Sequence, residues 1–463
     1  MRSIFIILLI CCVSCKGNGA KSSNESATES VKETLSMQEG LGGNNQQANY
    51  TDGLRYEEIR RIDTNNPPVV IDIIGNRTNP SGKIKLSHFF DKIEYIVIKQ
   101  TPDSVRGRPV ISPDYIYILD NSKGIAQFDR QGDFKRYICK NFFPHDSSDG
   151  WTSVSREQYN KFYGATDLFW NEGQLYYKYE DRPEGKTFMI AFDDNTQDVN
   201  ISDSEQSNDK LRLGTIVSEL SQIVRNSMFI ENVWILYQGR KGYVETDFLT
   251  IMSAYGDTIC KFKDFDPVKD YKKSVMRGVE SGDSYLLDGV YHVRQSFNDT
   301  LYEFSTPNIL TPRYILNIGD MGIKSSNEGI DVDFSLKDKL VGPKLYESDK
   351  YLFITYTKDY SSPNSAKSGS LKYSRLIYDK SSKKIITLYI DEAPDYKGIG
   401  WPEAPLAEIN NDLDGMPFLW PAGITPDNKP FAYIKAIDFP KSDSKPEMLK
   451  NVNDNDIILV IYN

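Results

Sequence analysis

Histidine is almost missing from this chain: 463 residues carry only His88, His145 and His292. That scarcity leaves little material for a histidine metal cage or a proton relay. No HExxH helix, no Gly-x-Ser-x-Gly elbow and no Walker loop occurs. Sialidase-type Asp-boxes are missing as well. Cysteine is scarce too, with five in all. Cys11, Cys12 and Cys15 crowd the N-terminus, and only Cys139 and Cys260 remain, too few for a disulfide framework. Both fall in strand-like segments and are expected as buried thiols, with a long-range bridge as the alternative in an oxidising compartment. Basic excess is also absent: 55 Lys and Arg stand against 65 Asp and Glu, a net charge of −10. This excludes nucleic acid, whose phosphates demand a basic face, and a polybasic membrane contact. The one long apolar run, Ile4–Val13, is shorter than the roughly 20 residues a spanning helix needs.

What is present begins at that run. Met1-Arg2-Ser3 supplies a basic start, Ile4–Val13 an apolar stretch, and Ser14 a small residue before Cys15. Together they read as an export signal over residues 1–14. Cys12-Val13-Ser14-Cys15 resembles the lipobox of bacterial lipoproteins, with Cys12 where Leu is usual. Cys15 is therefore expected to carry the lipid, and the membrane is met through that anchor alone. Residues 15–66 are expected as the lipidated Cys and a tether. To about residue 50 they are Ser-, Gly-, Asn- and Gln-rich and cannot bury enough apolar surface to order themselves. The first 35 of them reach roughly 30–35 Å as a flexible coil.

The third domain expectation covers 67–463. Its 29 Tyr and 22 Phe, counted over the chain, favour strands. One pattern recurs: an alternating strand, a polar turn, a second strand, a turn with Gly, Asn or Asp, and a third strand. Tyr115–Asp120, Ile125–Asp129 and Phe134–Ile138 make the first copy. Leu175–Tyr179 and Phe188–Phe192 open the second. Val233–Tyr237, Phe248–Met252 and Ile259–Phe262 make the third. Val290–Val293, Leu301–Phe304 and Arg313–Leu316 make the fourth. Tyr351–Tyr356, Ser374–Tyr378 and Ile385–Tyr389 make the fifth. Phe418–Trp420, Phe431–Ala436 and Ile457–Tyr462 make the last. Six such units predict an all-β six-bladed β-propeller. The last unit lacks a fourth strand, and Ile93–Ile98 has no blade of its own. It is expected as the outer strand of the last blade, closing the ring and removing an edge. Val69–Ile74 is expected to add to the same region.

Leu86–Ile96, Tyr115–Asp120 and Phe128–Phe134 resemble the six-bladed β-propeller lipoproteins of Gram-negative gut-type bacteria, related to NHL-repeat propellers. Ser296–Tyr302 with Pro312–Leu316 is similar to that family's fourth-blade pattern, and Lys350–Ile354 to its fifth. The resemblance covers most of the chain from residue 67 and implies fold rather than activity. The family's usual Gly-Pro-Gly loop after blade one is replaced here by Lys140–His145. Asp103-Ser104-Val105, Asp257-Thr258-Ile259 and Asp299-Thr300-Leu301 match a short O-glycan acceptor pattern of such bacteria.

Candidate ligand contacts are few. Arg106 and Arg108 precede the expected innermost strand of blade one and could reach the channel mouth. His145 lies in an insertion with Asp146, Asp149 and Trp151. Trp151, Trp170, Trp401 and Trp420 fall near loops or strand ends, where flat rings stack on sugars or anchor partners. His292 reads as a packed histidine. Asn410–Gly415 imitates the start of a calcium loop, but Pro421 replaces its last acid, so a polar turn is expected. No metal or cofactor and no catalytic residue is assigned. The expected function is a non-enzymatic, monomeric binding module for a glycan, a peptide or an envelope protein. Its expected place is the outer membrane, on the periplasmic face, since Lys16–Lys21 carries no acid. The alternative is a propeller-based glycan-active hydrolase or lyase, which two carboxylates with an Arg or Tyr at the channel mouth would favour. A scaffold subunit of an outer-membrane assembly is the third reading.

Overall fold

The computed structural model describes most of the strands and short turns between residues 67 and 463. Outside the described residues lie 1–66, 79–83, 100–104, 140–166, 193–214, 238–246, 264–282, 323–339, 359–371, 391–404, 440–445 and some shorter turns. The export signal, Cys15 and the tether are among them.

Four short strands come first: β1 (Val69–Asp72), β2 (Arg77–Thr78), β3 (Ile84–Lys85) and β4 (Ile93–Ile98). Blade 1 follows as β5 (Val105–Ile111), β6 (Tyr115–Asp120), β7 (Gly124–Asp129) and β8 (Phe134–Cys139). Blade 2 holds β9 (Asp167–Asn171), β10 (Gln174–Asp181), β11 (Lys186–Phe192) and β12 (Thr215–Leu220). Blade 3 holds β13 (Ser227–Ile230), β14 (Val233–Tyr237), β15 (Asp247–Ser253) and β16 (Thr258–Lys263). Blade 4 holds β17 (Asp283–Leu287), β18 (Val290–Arg294), β19 (Thr300–Ser305) and β20 (Ile309–Asn317). Blade 5 holds β21 (Leu340–Glu347), β22 (Tyr351–Lys358), β23 (Lys372–Asp379) and β24 (Lys384–Ile390). After the short strands β25 (Pro405–Leu406), β26 (Ile409–Asn410) and β27 (Phe418–Leu419), blade 6 is built from β28 (Gly423–Ile424), β29 (Pro430–Lys435) and β30 (Ile457–Tyr462). Its fourth, outer strand is β4, antiparallel to β30 from Ile93↔Tyr462 to Ile98↔Ile457. This is a six-bladed β-propeller, closed by an N-terminal strand as the sequence predicts.

Two expectations change. Val69–Asp72 does not join the last blade; it runs parallel to β20 as a fifth strand of blade 4. The segment then passes to blade 5, where β2 lies parallel to β24, and on to β26, where β3 pairs in parallel. Only then does it reach blade 6. The second change concerns Phe418–Trp420, read above as a blade strand. It pairs instead with β25, and the inner strand of blade 6 is the two-residue β28.

Alternation explains the blade packing. In β6, Ile116 and Ile118 belong to the apolar cluster shared with blade 6, while Tyr117 and Leu119 belong to the one shared with blade 2. In β30, Ile457, Leu459 and Ile461 face blade 1, and Ile458, Val460 and Tyr462 face blade 5. Successive side chains point to opposite sheet faces, so a strand apolar at every position is buried on both sides. Among the described residues six apolar clusters occur, one at each seam of the ring.

Polar ties fasten the closure. Asn463 exchanges backbone bonds with Asp91 and Lys92. Ser87 donates through its N–H and its hydroxyl to Asp412, and the Tyr95 hydroxyl donates to Asp414 Oδ2 at 2.7 Å. The calcium-loop imitation therefore spends its acids on holding the N-terminal segment, and among the described residues no cluster suited to a metal occurs. Gly132 (φ 86°) turns blade 1 against β4 so closely that a Cβ there would lie 2.2 Å from the Val97 carbonyl oxygen.

Candidate functional site

The inner strands of the six blades end on Ile111, Asn171, Ile230, Leu287, Glu347 and Ile424. Four of the six are aliphatic, which is what a seam between two packed sheets requires. Asn171 and Glu347 depart from this, and Glu347 alone of the six is ionisable. It is a carboxylate with no exposed surface, and leaving a charge uncompensated there would be heavily penalised.

Its partners come from blade 4 and from its own blade. Oε1 accepts from Arg313 Nη2 at 2.9 Å and from the Tyr314 hydroxyl at 2.9 Å, and lies 2.6 Å from Lys380 Nζ. Oε2 accepts from the Tyr285 hydroxyl at 2.5 Å. Arg313 also reaches Glu303 Oε2 through Nη1 at 2.8 Å. Tyr285, His292 and Glu303 stand in a row across β17, β18 and β19, paired Tyr285↔His292 and His292↔Glu303. The rings of Tyr285 and His292 stack 4.9 Å apart and nearly parallel. His292 Nδ1 lies 3.1 Å from the Val290 carbonyl. A carbonyl only accepts, so Nδ1 carries the proton and Nε2 presents a lone pair. That lone pair faces Glu303 Oε2 across 3.7 Å.

The charges balance: Arg313 and Lys380 against Glu303 and Glu347. Burial raises the Glu347 pKa, but Lys380 and Arg313 outweigh it and hold the group below its ordinary value. Burial pushes His292 down to about 4, with Arg313 helping and the two carboxylates opposing. Burial, Glu347 and its hydrogen bond raise the Tyr285 phenol. The rim is partly open, since the Arg313 and Glu303 side chains are about a third exposed.

Most candidates read from the sequence stand elsewhere. Trp420 is completely buried, with Phe353 and Phe418 edge-on against its ring and the Arg375 guanidinium 5.7 Å from its centre. It is a core residue of the blade 5–6 seam and presents no face to a ligand. Trp170 is half-buried in β9 and stacks on Tyr117 at the blade 1–2 seam. Arg106 and Arg108 lie within β5 itself rather than before it, on the inner strand of blade 1; their side chains lie outside the described residues. His145, Trp151 and Trp401 also lie outside them. His292 is packed, as expected, yet belongs to the Glu347 cluster. Cys260 is buried, and the side chain of Cys139 lies outside the described residues. Of the O-glycan matches, Thr258 is exposed while Thr300 is buried. Glu347, Arg313, Tyr285 and Tyr314 were not singled out by sequence. Aligning the ends of the inner strands would have found the first of them.

Residues 51–438 match the family model of a domain of unknown function, DUF4933. No curated protein matches the chain. Among solved structures, the chain is similar to a protein of Bacteroides fragilis NCTC 9343 described as exported. The two share 14% identity at a TM-score of 0.52, over 85% of this chain and 100% of that one. A DUF4221 family member from Bacteroides vulgatus ATCC 8482 shares 8% at a TM-score of 0.38, over 81% and 97%. The first likeness bears on the fold alone.

Proposed function

The chain belongs to the DUF4933 family, and from that premise we propose that it is an exported, lipid-anchored binding module. Its propeller recognises a glycan, a peptide or an envelope protein. The lipobox-like Cys15 and the polar stretch after it support the anchoring.

One observation carries recognition over catalysis: Glu347 is fully buried and both its oxygens already accept from protein donors. Four donors surround them, and the pKa is held down. A general acid or base needs a carboxyl tuned towards the working pH, with an oxygen turned to the substrate. Glu347 has neither. Glu303, the other carboxylate, is held by Arg313. The cluster suits a rigid frame more than a hydrolytic pair.

The test is a screen of the full chain in detergent on glycan and peptidoglycan-fragment arrays, together with cross-linking to envelope proteins. Saturable binding with unchanged ligand supports the reading. Release of reducing ends or unsaturated sugars would replace it with a hydrolase or lyase.

A further inference from the structure

We propose that the N-terminal strap has one step more than β1, β2 and β3: residues 61–64 lie parallel to β16 and cover the outer edge of blade 3. These residues lie outside the described ones, but the described strap sets the rule. β1, β2 and β3 start at residues 69, 77 and 84. They reach the outer strand of blade 4, that of blade 5 and then β26, each in parallel. Chain direction and ring order therefore agree, at seven or eight residues per step. The connectors are short, residues 73–76 from β1 to β2 and 79–83 from β2 to β3. A connector as short as the first, 65–68, leads back from β1 to residues 61–64. The blade before blade 4 in the ring is blade 3.

Blade 3 has the edge to receive them. β16 is its outermost strand among the described residues, whereas β20 is covered by β1 and β24 by β2. An uncovered edge presents a row of N–H and C=O groups as a template for another strand. The sequence supplies a match. In β1, Ile71 lies opposite Leu316 and Asp72 opposite Asn317, the last two residues of β20. Ile71 and Leu316 are buried in one apolar cluster. The Ile73 N–H donates to the Asn317 carbonyl at 3.0 Å, and alternation turns the Ile71 N–H to the same side. The dipeptide Ile-Asp recurs at Ile62-Asp63. The same register sets Ile62 opposite Phe262 and Asp63 opposite Lys263, the last two residues of β16. Phe262 is buried like Leu316, in the cluster shared by blades 3 and 4. The family match begins at residue 51, so it counts 61–64 with the propeller.

The added strand changes where the chain joins the ring. The polar stretch after Cys15 ends at blade 3, and one continuous segment then ties blades 3 to 6 in order. β8 and β12 stay the outermost strands of blades 1 and 2 among the described residues, so blade 1 serves as the internal control. The strap is independent of any lipid on Cys15.

Disulfide trapping in the full chain tests the register. Asp72→Cys with Asn317→Cys is the positive control, because the two are paired between β1 and β20. Asp63→Cys with Lys263→Cys is expected to close to the same extent, since paired strand positions fall within disulfide reach. Asp63→Cys with Lys135→Cys, on the outer strand of blade 1, is expected to stay open. Peptide mapping by mass separates each bond from the native cysteines. Closure of the control without closure at Lys263→Cys overturns the strap, and so does equal closure at Lys135→Cys. Hydrogen exchange gives a second reading without new cysteines. Ile62→Pro removes the N–H that faces β16 and is expected to speed β16 amide exchange about tenfold, with β8 unchanged. Unchanged β16 exchange overturns the strap. Protection of β16 that appears only as protein concentration rises also overturns it, by giving the edge to a second copy.

Discussion

The inner strand of blade 1 ends on Ile111 and that of blade 5 on Glu347, yet both strands enter the same turn. In blade 1 the Tyr115 N–H donates to Ser112 Oγ, Ser112 N–H donates back to the Tyr115 carbonyl, and Arg130 reaches the Ser112 carbonyl. In blade 5 Ser348, Tyr351 and Lys380 repeat each contact. Asp129 and Asp379 both cap the second turn through Oδ1, Asp129 accepting from the Gln131 and Asp133 N–H groups and Asp379 from those of Ser381 and Ser382. Apart from Arg130 against Lys380, Ile111 against Glu347 therefore separates two equivalent blade ends. The blade closes equally well on isoleucine, so the carboxylate is not a requirement of the architecture. Buried ion pairs are often no more stabilising than apolar residues of similar size. What Glu347 adds is a polar, charge-balanced bridge in a seam whose apolar cluster otherwise consists of aliphatic and tyrosine side chains.

Removing that bridge by halves should give the largest effect. Glu347→Ala takes from Arg313 and Lys380 their shared buried carboxylate and leaves the Tyr285 and Tyr314 hydroxyls without it; it is expected to cost about 3 kcal/mol, read as a lower urea midpoint. The double variant Glu347→Ile with Arg313→Met copies blade 1, because Lys380 keeps the Ser348 carbonyl as Arg130 keeps Ser112. It should recover most of the loss, and a double as unstable as the single would break the comparison. Trp420→Ala is expected to cost a similar amount, about 3 kcal/mol, through the cavity it leaves, without changing affinity for any captured ligand.

Acid sharpens the contrast further. Glu347 has a lowered folded pKa, so its stability is present above its ordinary 4.5 and is lost as pH falls below it. Chemical denaturation from pH 6 to 3 should show a steeper acid loss for the native chain than for the double variant. Gly132→Ala should cost more than about 1 kcal/mol, since its φ and the Val97 carbonyl both oppose a side chain. Faster exchange of β4 amides would report the damage. The smallest change comes from Ser112→Ala and Ser348→Ala, each about 1 kcal/mol. Their melting shifts should agree, and clear inequality would mean that the two turns are not equivalent.

The period-two pattern made the ring legible. Tyr115–Leu119 and Ile457–Tyr462 show apolar residues on both faces, and only a strand packed on two sides needs that. The closing role of Ile93–Ile98 followed from one missing strand and one spare. Val69–Asp72 was misplaced for a physical reason: a parallel strand has no turn to name its partner. The inner strand of blade 6 was missed because Gly423–Ile424 is too short to alternate. Trp420 was misread because its position near turns says nothing of the Phe353 and Phe418 rings that cover it. Glu347 was invisible as one acid among 65, and its partners lie 33 to 62 positions away.

The route of the N-terminal segment has a mechanical consequence. Its first strand is fastened to blade 4, its second to blade 5, its third beside Ile409–Asn410, and only its fourth seals the ring. A pull on the N-terminus must unfasten these in series before any load reaches β4. The seal is thus strain-relieved, like a cable clamped three times before its connector.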